Sequence, residues 1–498
     1  MKTNGKRTSL STVLTIFALL AGTAALTTIM PVDPKELKAF SLIPAVFLIV
    51  YILFTKRVVE GLVLSSILGI IMISRPETVG EGTWAFNAFS KFSDTLMKTL
   101  LDEDIVWLII VCGLMGSIIA LLEKSGGAFA FGEWASKRAK DQKTALIWVW
   151  ILGIVVFIDD YLNSLTVGSC MTNVTDKYKT PREYLAYIVD STAAPACALI
   201  PISTWAVFVA KILETNKWAP EGEGLAYFIK TIPYNFYSII ALFIVPAVIL
   251  GIVPIFGPMK KAVERVNAGG PLAPAGSEKI DIRAGKEMET YPDARIIDMF
   301  IPIAVLVGAT VFFDNDMQLG VLFTMGFMFV YNLSMGHMTP EEFVDVSMHG
   351  FKNMCLPLLL MVLAFLFGNV NKEIYFTDYV IKSAAAIVNP TMLPFVVFLA
   401  LGCTEFIMGS NWGMYIIALP IVIPLAQSLN ANMTLSVAAV LSAGVFGSHI
   451  CFYSDATVIT SAACGCDNLR HSITQFPFGL LAAFFTAILY LGCGLMGI

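Results

Sequence analysis

The chain has 498 residues, of which 57% are hydrophobic and 14% are charged, and its formal net charge is −5. This composition excludes a soluble multidomain protein and predicts a polytopic membrane protein that is embedded in the lipid bilayer. The small net charge and the absence of a basic face argue against a nucleic-acid partner. Nine cysteines are scattered through apolar segments without a CxxC pair, so we expect reduced core residues and no structural metal.

Apolar runs of spanning length recur along the chain. The first follows a short basic start and is too long for the core of a signal peptide, so we expect a retained transmembrane helix. The runs lie near 10–30, 40–55, 58–74, 105–122, 225–253, 295–313, 317–335, 350–370 and 476–497. Two further regions, 144–213 and 390–466, are interrupted by glycine, proline and charge, and we expect re-entrant hairpins and broken helices there.

Lysine and arginine accumulate in four places, which predicts the orientation of the chain in the membrane. They precede the first apolar run, follow the second, and cluster again at 137–143 and 260–265. All four clusters can lie in the cytoplasm if the segment 144–176 is a re-entrant hairpin, which enters and leaves the membrane on the same side. We therefore expect a cytoplasmic N-terminus and a location in a bacterial cytoplasmic membrane.

The two halves of the chain match in pattern at an offset of roughly 250 residues, as inverted transporter repeats do. Each half has a polar break, an apolar run, and a long helix with a polar interruption. We predict an all-α polytopic membrane protein built from two inverted repeats with re-entrant hairpins and discontinuous helices. The expected segments are N-terminal scaffold helices at 1–100, the first repeat at 101–253, a cytoplasmic linker at 254–294, further scaffold helices at 295–349, and the second repeat with the C-terminal helix at 350–498.

Asp159 and Asp160 lie in the segment FIDDYLNSLTVGSCM, which belongs inside the bilayer by its length and composition. An ionisable side chain there costs several kcal/mol unless it is paired or hydrated, so it indicates a functional site. On a helix the two carboxylates point about 100° apart. We favour Asp160 as the one that faces the site, with Asn163 and Ser164 on the same side. The alternative is that the pair only caps the start of a helix or marks the end of a re-entrant tip that faces water.

Asp190 is followed by STAAPACALIP, a run of small residues with two prolines. This pattern is expected where a helix unwinds and its carbonyls coordinate a cation. Ser191, Thr192 and Ser203 add oxygen atoms that suit a hard cation. The alternative is a proline-kinked packing helix in which Asp190 is paired with a neighbour such as Lys211.

The second half supplies a comparable polar set around GVFGSHICFYSDATVITSAA. Asp455 sits in a segment otherwise long enough to cross the membrane, which favours an ion-binding or proton-carrying role. His449 is a candidate proton carrier because histidine changes charge near neutral pH, and its alternative is a hydrogen-bonded core group. Glu405 is either a second proton carrier or a residue at a water-filled vestibule. The remaining candidates for ion binding in this half are Asn411, Ser454 and Thr457.

Motifs for catalysis are absent from the sequence. It contains no Walker loop, which argues against ATP-driven pumping. It also lacks the GxGD, GxSG and HExxH signatures of intramembrane proteases. We therefore predict a transporter rather than an enzyme, working without a cofactor.

Three motifs resemble those of the NhaC sodium/proton antiporter family, part of the ion transporter superfamily. They are FIDDYLNSLTVGSCM, YIVDSTAAPACALIPISTW and GSHICFYSDATVITSAA, and the resemblance extends over about residues 105–470. It implies sodium and protons as the transported ions, a transport core that moves against a scaffold, and a homodimer. It also implies that the polar core is formed by Asp159, Asp160, Asn163, Asp190, Ser191, Thr192 and Asp455.

Two hypotheses for the transported species follow from these residues. The first is a sodium/proton antiporter in which protonation of carboxylates competes with sodium binding and the site opens to one side at a time. The second is a sodium- or proton-coupled carrier of a small organic substrate, such as an amino acid or a carboxylate like malate or lactate. An organic anion would need a positive group or helix N-termini at the site, and the core motifs contain no lysine or arginine well inside them. An amino acid or organic cation remains compatible, with Trp205 or Trp412 as an aromatic wall.

Overall fold

The computed structural model describes residues 29–55, 57–74, 83–279, 294–313, 316–376, 379, 383, 389–409, 411–452 and 454–497. Every regular element within these ranges is a helix, which confirms the predicted all-α class. The α-helices are α1 Ile43–Thr55, α2 Val58–Ile73, α3 Trp84–Leu100, α4 Glu103–Ser125, α5 Gly127–Arg138, α6 Gln142–Val155, α7 Asp160–Lys177, α8 Arg182–Thr192, α9 Ala194–Cys197, α10 Thr204–Thr215, α11 Gly224–Thr231, α12 Phe236–Leu250, α13 Gly257–Asn267, α14 Ile297–Phe312, α15 Met317–Ser334, α16 Pro340–Asn353, α17 Cys355–Glu373, α18 Leu393–Met408, α19 Asn411–Ser428, α20 Met433–Ile450, α21 Asp455–Ala463 and α22 Asn468–Met496.

The described residues form two compact units. The smaller combines Met1–Val106 with Leu359–Ile387, and the larger combines Trp107–Leu358 with Val388–Ile498. All the candidate ion-binding and proton-carrying residues belong to the larger unit. The segment boundaries expected from the sequence stay predictions.

Four described helices are long and apolar enough to cross a membrane: Ile105–Ser125, Met317–Ser334, Met433–Ile450 and Asn468–Met496. The apolar runs near 40–55, 58–74 and 295–313 form shorter helices of 13, 16 and 16 residues. At about 1.5 Å per residue, such helices fall short of the roughly 30 Å hydrocarbon core. The run at 10–30 lies almost wholly outside the described residues.

The apolar run 225–253 differs from the single span expected for it. Its helical parts, Gly224–Tyr234 and Phe236–Leu250, meet at an angle of 55°. Pro233 lies in the last turn before the bend, and proline cannot donate the backbone hydrogen bond that would continue the helix. The buried Asn235 at the bend donates to the carbonyl oxygen of Ala198 at 3.3 Å, which fixes the bend to the first broken helix.

Each half contains a pair of helices separated by a short break where a hairpin was predicted. In the first half α6 and α7 are separated by four residues, and in the second α18 and α19 meet at Gly409 and the residue after it. Gly409 ends α18 in the left-handed conformation, with φ of 68°, which glycine adopts without strain. The four helices have 14, 18, 16 and 18 residues, so α6 in particular is too short to span a bilayer alone.

The predicted broken helices are present in both halves, and a serine restarts each of them. Ser203 Oγ accepts from Ala206 N at 3.1 Å and donates to Cys197 O at 2.6 Å. Ser454 Oγ accepts from Thr457 N at 3.3 Å and donates to Ser448 O at 2.9 Å. Each serine thus caps the helix that follows it, and its hydroxyl donates to the carbonyl oxygen six residues earlier, on the other side of the break. The spacing of the two motifs agrees with the offset of the proposed repeats, whose inverted orientation stays a prediction.

The described part of the expected linker is docked on the larger unit. Arg265 in α13 makes a two-pronged ion pair with the buried Glu183 of α8, at 2.7 and 2.9 Å. Arg182 donates to both carboxylate oxygens of Asp176 and to the carbonyl oxygen of Cys464. Farther along, Ser277 Oγ accepts from the backbone N–H of Asp467 at 2.9 Å. Residues 254–279 are therefore a strap across the loops of both halves rather than a free connection.

The close approach of α6 to α8 gives the first prediction. A Cβ added at Gly153 would overlap the side chain of Thr192, whereas one added at Gly308 in α14 would meet no atom within 4 Å. We expect Gly153→Ala to lower the free energy of unfolding by about 1–3 kcal/mol through overpacking. Gly308→Ala is the matched control and should leave stability equal or slightly higher, since alanine favours a helix. Thermal unfolding of the purified variants measures both, and equal midpoints would contradict the packing described.

Candidate functional site

Two consecutive carboxylates begin α7 at the tip of the first hairpin. Asp159 is the helix cap: its Oδ1 accepts from the backbone N–H groups of Tyr161 at 3.0 Å and Leu162 at 3.1 Å. Its Oδ2 accepts from Thr204 Oγ1 at 3.0 Å. Asp160 Oδ1 accepts from the indole N–H of Trp205 at 3.1 Å. The capping alternative therefore applies to Asp159, and Asp160 is left as the helix's first residue.

We call Asp159, Asp160, Thr204 and Trp205 the tip cluster. Both carboxylates are buried, with exposed fractions of 3% and 2%. They also lie at the meeting point of two helix N-termini, those of α7 and α10, whose dipoles favour negative charge. Because helix N-termini and hydrogen-bond donors stabilise negative charge, the buried carboxylates can stay ionised.

The side chains of Asn163 and Ser164 form hydrogen bonds between helices and are not part of the tip cluster. Asn163 Nδ2 donates to the carbonyl oxygens of Gly153, Val156 and Thr192, so it connects both helices of the hairpin with the break after α8. Ser164 Oγ accepts from Thr460 Oγ1 of α21 at 2.8 Å, which connects the first half with the second. Thr192 in turn donates its hydroxyl to the carbonyl of Ile188 at 2.9 Å.

Asp190 lies one turn before the break in the first broken helix, and its partners come from the second half. Its Oδ2 accepts from Gln475 Nε2 at 2.8 Å and from Thr457 Oγ1 at 3.4 Å. His471 Nε2 lies 3.2 Å from the same oxygen. We call these four residues the Asp190 cluster. All are at most 1% exposed, so a carboxylate, an imidazole and an amide are enclosed together inside the protein.

His449 lies beside the Asp190 cluster and is hydrogen-bonded through both ring nitrogens. Its Nε2 is 3.0 Å from Ser191 Oγ, and its Nδ1 is 2.8 Å from Tyr237 Oη. Gln475 Nε2 also donates to the carbonyl oxygen of His449. These contacts agree with the alternative of a hydrogen-bonded core histidine, and they place it next to the only other fully buried imidazole among the described residues, His471.

Asp190 has hydrogen-bond partners other than the one considered from the sequence. Lys211, the neighbour considered from the sequence, pairs with Glu214 at 3.2 Å instead. The actual partners, His471 and Gln475, were missed by the sequence analysis. A signal was available: the two residues are four apart in HSITQ, just before the apolar run of α22, and so lie on one helix face.

The remaining candidates are placed as follows. Glu405 is fully buried on α18, and a Cβ added at Gly447 of α20 would overlap its side chain. Asn411 is buried at the first residue of α19. Asp455 begins α21 directly after the cap Ser454, and its side chain lies outside the described residues. Ser203 and Ser454 close the breaks described above, and Thr457 contacts both Ser454 and Asp190.

Comparison with known proteins identifies the family. The model of the Na+/H+ antiporter family matches residues 197–495, more than half of the chain. The chain belongs to the Na+/H+ antiporter family. This confirms the resemblance drawn from the three motifs, and it shows an integral membrane protein that acts as a secondary transporter.

Three known proteins are similar to this antiporter family member. An uncharacterised protein of Haemophilus influenzae is 27% identical over 496 residues, covering 91% of both chains. The Neisseria gonorrhoeae MtrF structure, from a class of antimetabolite efflux pumps, is 13% identical with a TM-score of 0.50, covering 96% of this chain and 97% of that one. The Alcanivorax borkumensis YdaH transporter is 12% identical with a TM-score of 0.49, covering 84% and 90%. The likeness to MtrF shows a shared fold alone.

The Asp190 cluster gives the second prediction. Gln475→Leu removes the amide that donates to Asp190 and to the carbonyl of His449, and leaves a buried carboxylate with fewer donors. We expect a loss of about 1–3 kcal/mol in the free energy of unfolding. The control is Gln427→Leu, which replaces an exposed glutamine on α19. Thermal unfolding in detergent compares the two, and equal midpoints would show that Gln475 does not support Asp190.

Proposed function

We propose that the protein is a sodium/proton antiporter of the NhaC type that works by alternating access. The observation that carries the proposal is Asp190, a buried carboxylate on the first broken helix whose oxygen is held by Thr457, His471 and Gln475 of the second half. A carboxylate in this position can bind either a sodium ion or a proton, but binding one disfavours the other. Competition of this kind is what couples two opposite fluxes.

The tip cluster supplies two further carboxylates. Asp159 and Asp160 are buried at helix N-termini and lie on the same hairpin as Asn163, which hydrogen-bonds to the carbonyl of Thr192, two residues after Asp190. Hard oxygen ligands of this type suit sodium, and broken helices offer further carbonyl oxygens. We assign the sodium path to the region between the two clusters, with the proton competing for the same carboxylates.

The contacts between the halves support the alternating-access part of the proposal. Asp190 and Ser164 come from the first half and meet Thr457 and Thr460 of the second. A relative movement of the halves would therefore change the coordination of Asp190 and the access to it together. Such a link between occupancy and conformation is what alternating access requires. The homodimer, the bacterial cytoplasmic membrane and the cytoplasmic N-terminus stay predictions.

Proton flux in proteoliposomes tests the exchange. With a pH gradient imposed across the membrane and no organic solute present, sodium should dissipate the gradient and potassium should not. We expect Asp160→Asn and Asp190→Asn each to reduce the sodium-dependent rate at least about tenfold, because a neutral amide cannot replace the lost negative charge. Asp345→Asn, which changes an exposed carboxylate on α16, is the matched control and should keep the rate.

Two results would contradict the proposed exchange. One is a sodium-dependent flux that survives in the double variant Asp160→Asn with Asp190→Asn. The other is a flux that is absent with sodium alone and is restored by an amino acid or a carboxylate, which would favour the coupled carrier instead. A stabilising solute at 100 times its dissociation constant should then raise the free energy of unfolding by about 2.7 kcal/mol.

A further inference from the structure

The tip of the first hairpin is held by successive contacts to the end of α9 and to the start of α10. The carbonyl of Phe157 is 3.0 Å from Cys197 Sγ, and the carbonyl of Ile158 accepts from Thr204 N at 2.9 Å. The next two residues are the carboxylates of the tip cluster, which accept from the side chains of Thr204 and Trp205. Backbone contacts set the position of the tip, and side-chain donors occupy its charged oxygens.

The side chains of Thr204 and Trp205 donate to carboxylate oxygens, whereas Cys197 and the backbone N–H of Thr204 contact backbone carbonyl oxygens. The Thr204 hydroxyl and the Trp205 indole N–H each direct a positive hydrogen at an oxygen of a buried carboxylate, at 3.0 and 3.1 Å. Hydrogen bonds to ionised groups are stronger than those between neutral groups, so they stabilise the carboxylates when no cation is bound. A sodium ion that approaches the same oxygens meets a donor hydrogen of like partial charge.

We propose that Thr204 and Trp205 compete with sodium for Asp159 and Asp160 and thereby set the apparent affinity of the transporter for sodium. The inference rests on the proposed function in taking sodium as the cation. Thr204 and Trp205 are positioning residues, which act through the carboxylates. Removing a donor destabilises the ion-free site more than the occupied one, so sodium binds more tightly.

The ring of Trp205 and its N–H group can be separated experimentally. The ring packs edge-on against Tyr415, with 5.8 Å between the centroids, and Trp205→Phe keeps an aromatic ring while it removes the donor. Thr204→Val keeps the shape of the side chain and the backbone N–H that donates to Ile158. Trp150→Phe is the matched control, because the indole of Trp150 donates at 2.9 Å to the carbonyl of Leu242 and not to a carboxylate.

The experiment is a sodium titration of the thermal unfolding midpoint of the purified full-length protein, with potassium added to hold the ionic strength constant. Loss of one hydrogen bond to a charged group should lower the half-saturating sodium concentration about tenfold in Trp205→Phe, and in the same direction in Thr204→Val. Trp150→Phe should leave it unchanged, and Asp160→Asn should weaken the sodium response. If Trp205→Phe does not fold, Thr204→Val decides the outcome.

Each result either supports or overturns the inference. A half-saturating concentration that is unchanged or raised in these variants overturns it, as does a wild type that sodium does not stabilise. The proposed exchange is judged separately by flux in proteoliposomes, where Trp205→Phe should lower the KM for sodium. If sodium binds more tightly to the variants but no exchange is observed, the antiporter proposal is rejected and the proposed competition with sodium is supported. If exchange is observed but the KM for sodium is unchanged in Trp205→Phe, the antiporter proposal is supported and the competition is rejected.

Discussion

The structure depends on keeping carboxylates charged inside an apolar protein. Asp190 is almost fully buried, and an isolated carboxylate in such a place would be neutralised or would destabilise the fold. Its oxygen is instead held by Thr457, His471 and Gln475, which come from two different helices of the second half. The charge therefore requires both halves to be folded and in contact. The fold of the larger unit and the proposed ion exchange thus depend on the same set of hydrogen bonds.

The same constraint explains why the helices around the site are interrupted. An unbroken helix satisfies its own backbone groups and offers a buried charge only side chains. Where α7, α10 and α21 begin, free backbone N–H groups are available, and Asp159, Ser203 and Ser454 cap them. Asp159 thus receives two backbone donors in addition to Thr204. The breaks therefore bring backbone N–H groups close to carboxylates that are buried inside the protein.

Much of this arrangement could be predicted from the sequence, because charge and proline inside apolar runs are rare and informative. The helical class, the interrupted regions and the burial of Asp159, Asp160 and Asp190 followed from that signal. The partners of these carboxylates did not follow, since they depend on contacts between distant segments. His471 lies near the start of an apolar helix, where the sequence does not identify Asp190 as its partner. Trp205 was predicted only as an aromatic wall for an organic substrate, and not as a hydrogen-bond donor to Asp160. The 55° bend near Asn235 was missed because the apolar run continues through it.

The strap at 254–279 connects loops from both halves of the chain. It holds Glu183 near the start of α8 through Arg265, and it reaches the turn before α22 through Ser277 and Asp467. Arg182 adds a direct link from that edge to the carbonyl of Cys464. The loops of the two halves are thus fastened to each other along one rim, while the polar clusters lie deeper in the larger unit. Any movement that separates these loops therefore has to break the Arg265–Glu183 ion pair and the hydrogen bond between Ser277 and Asp467.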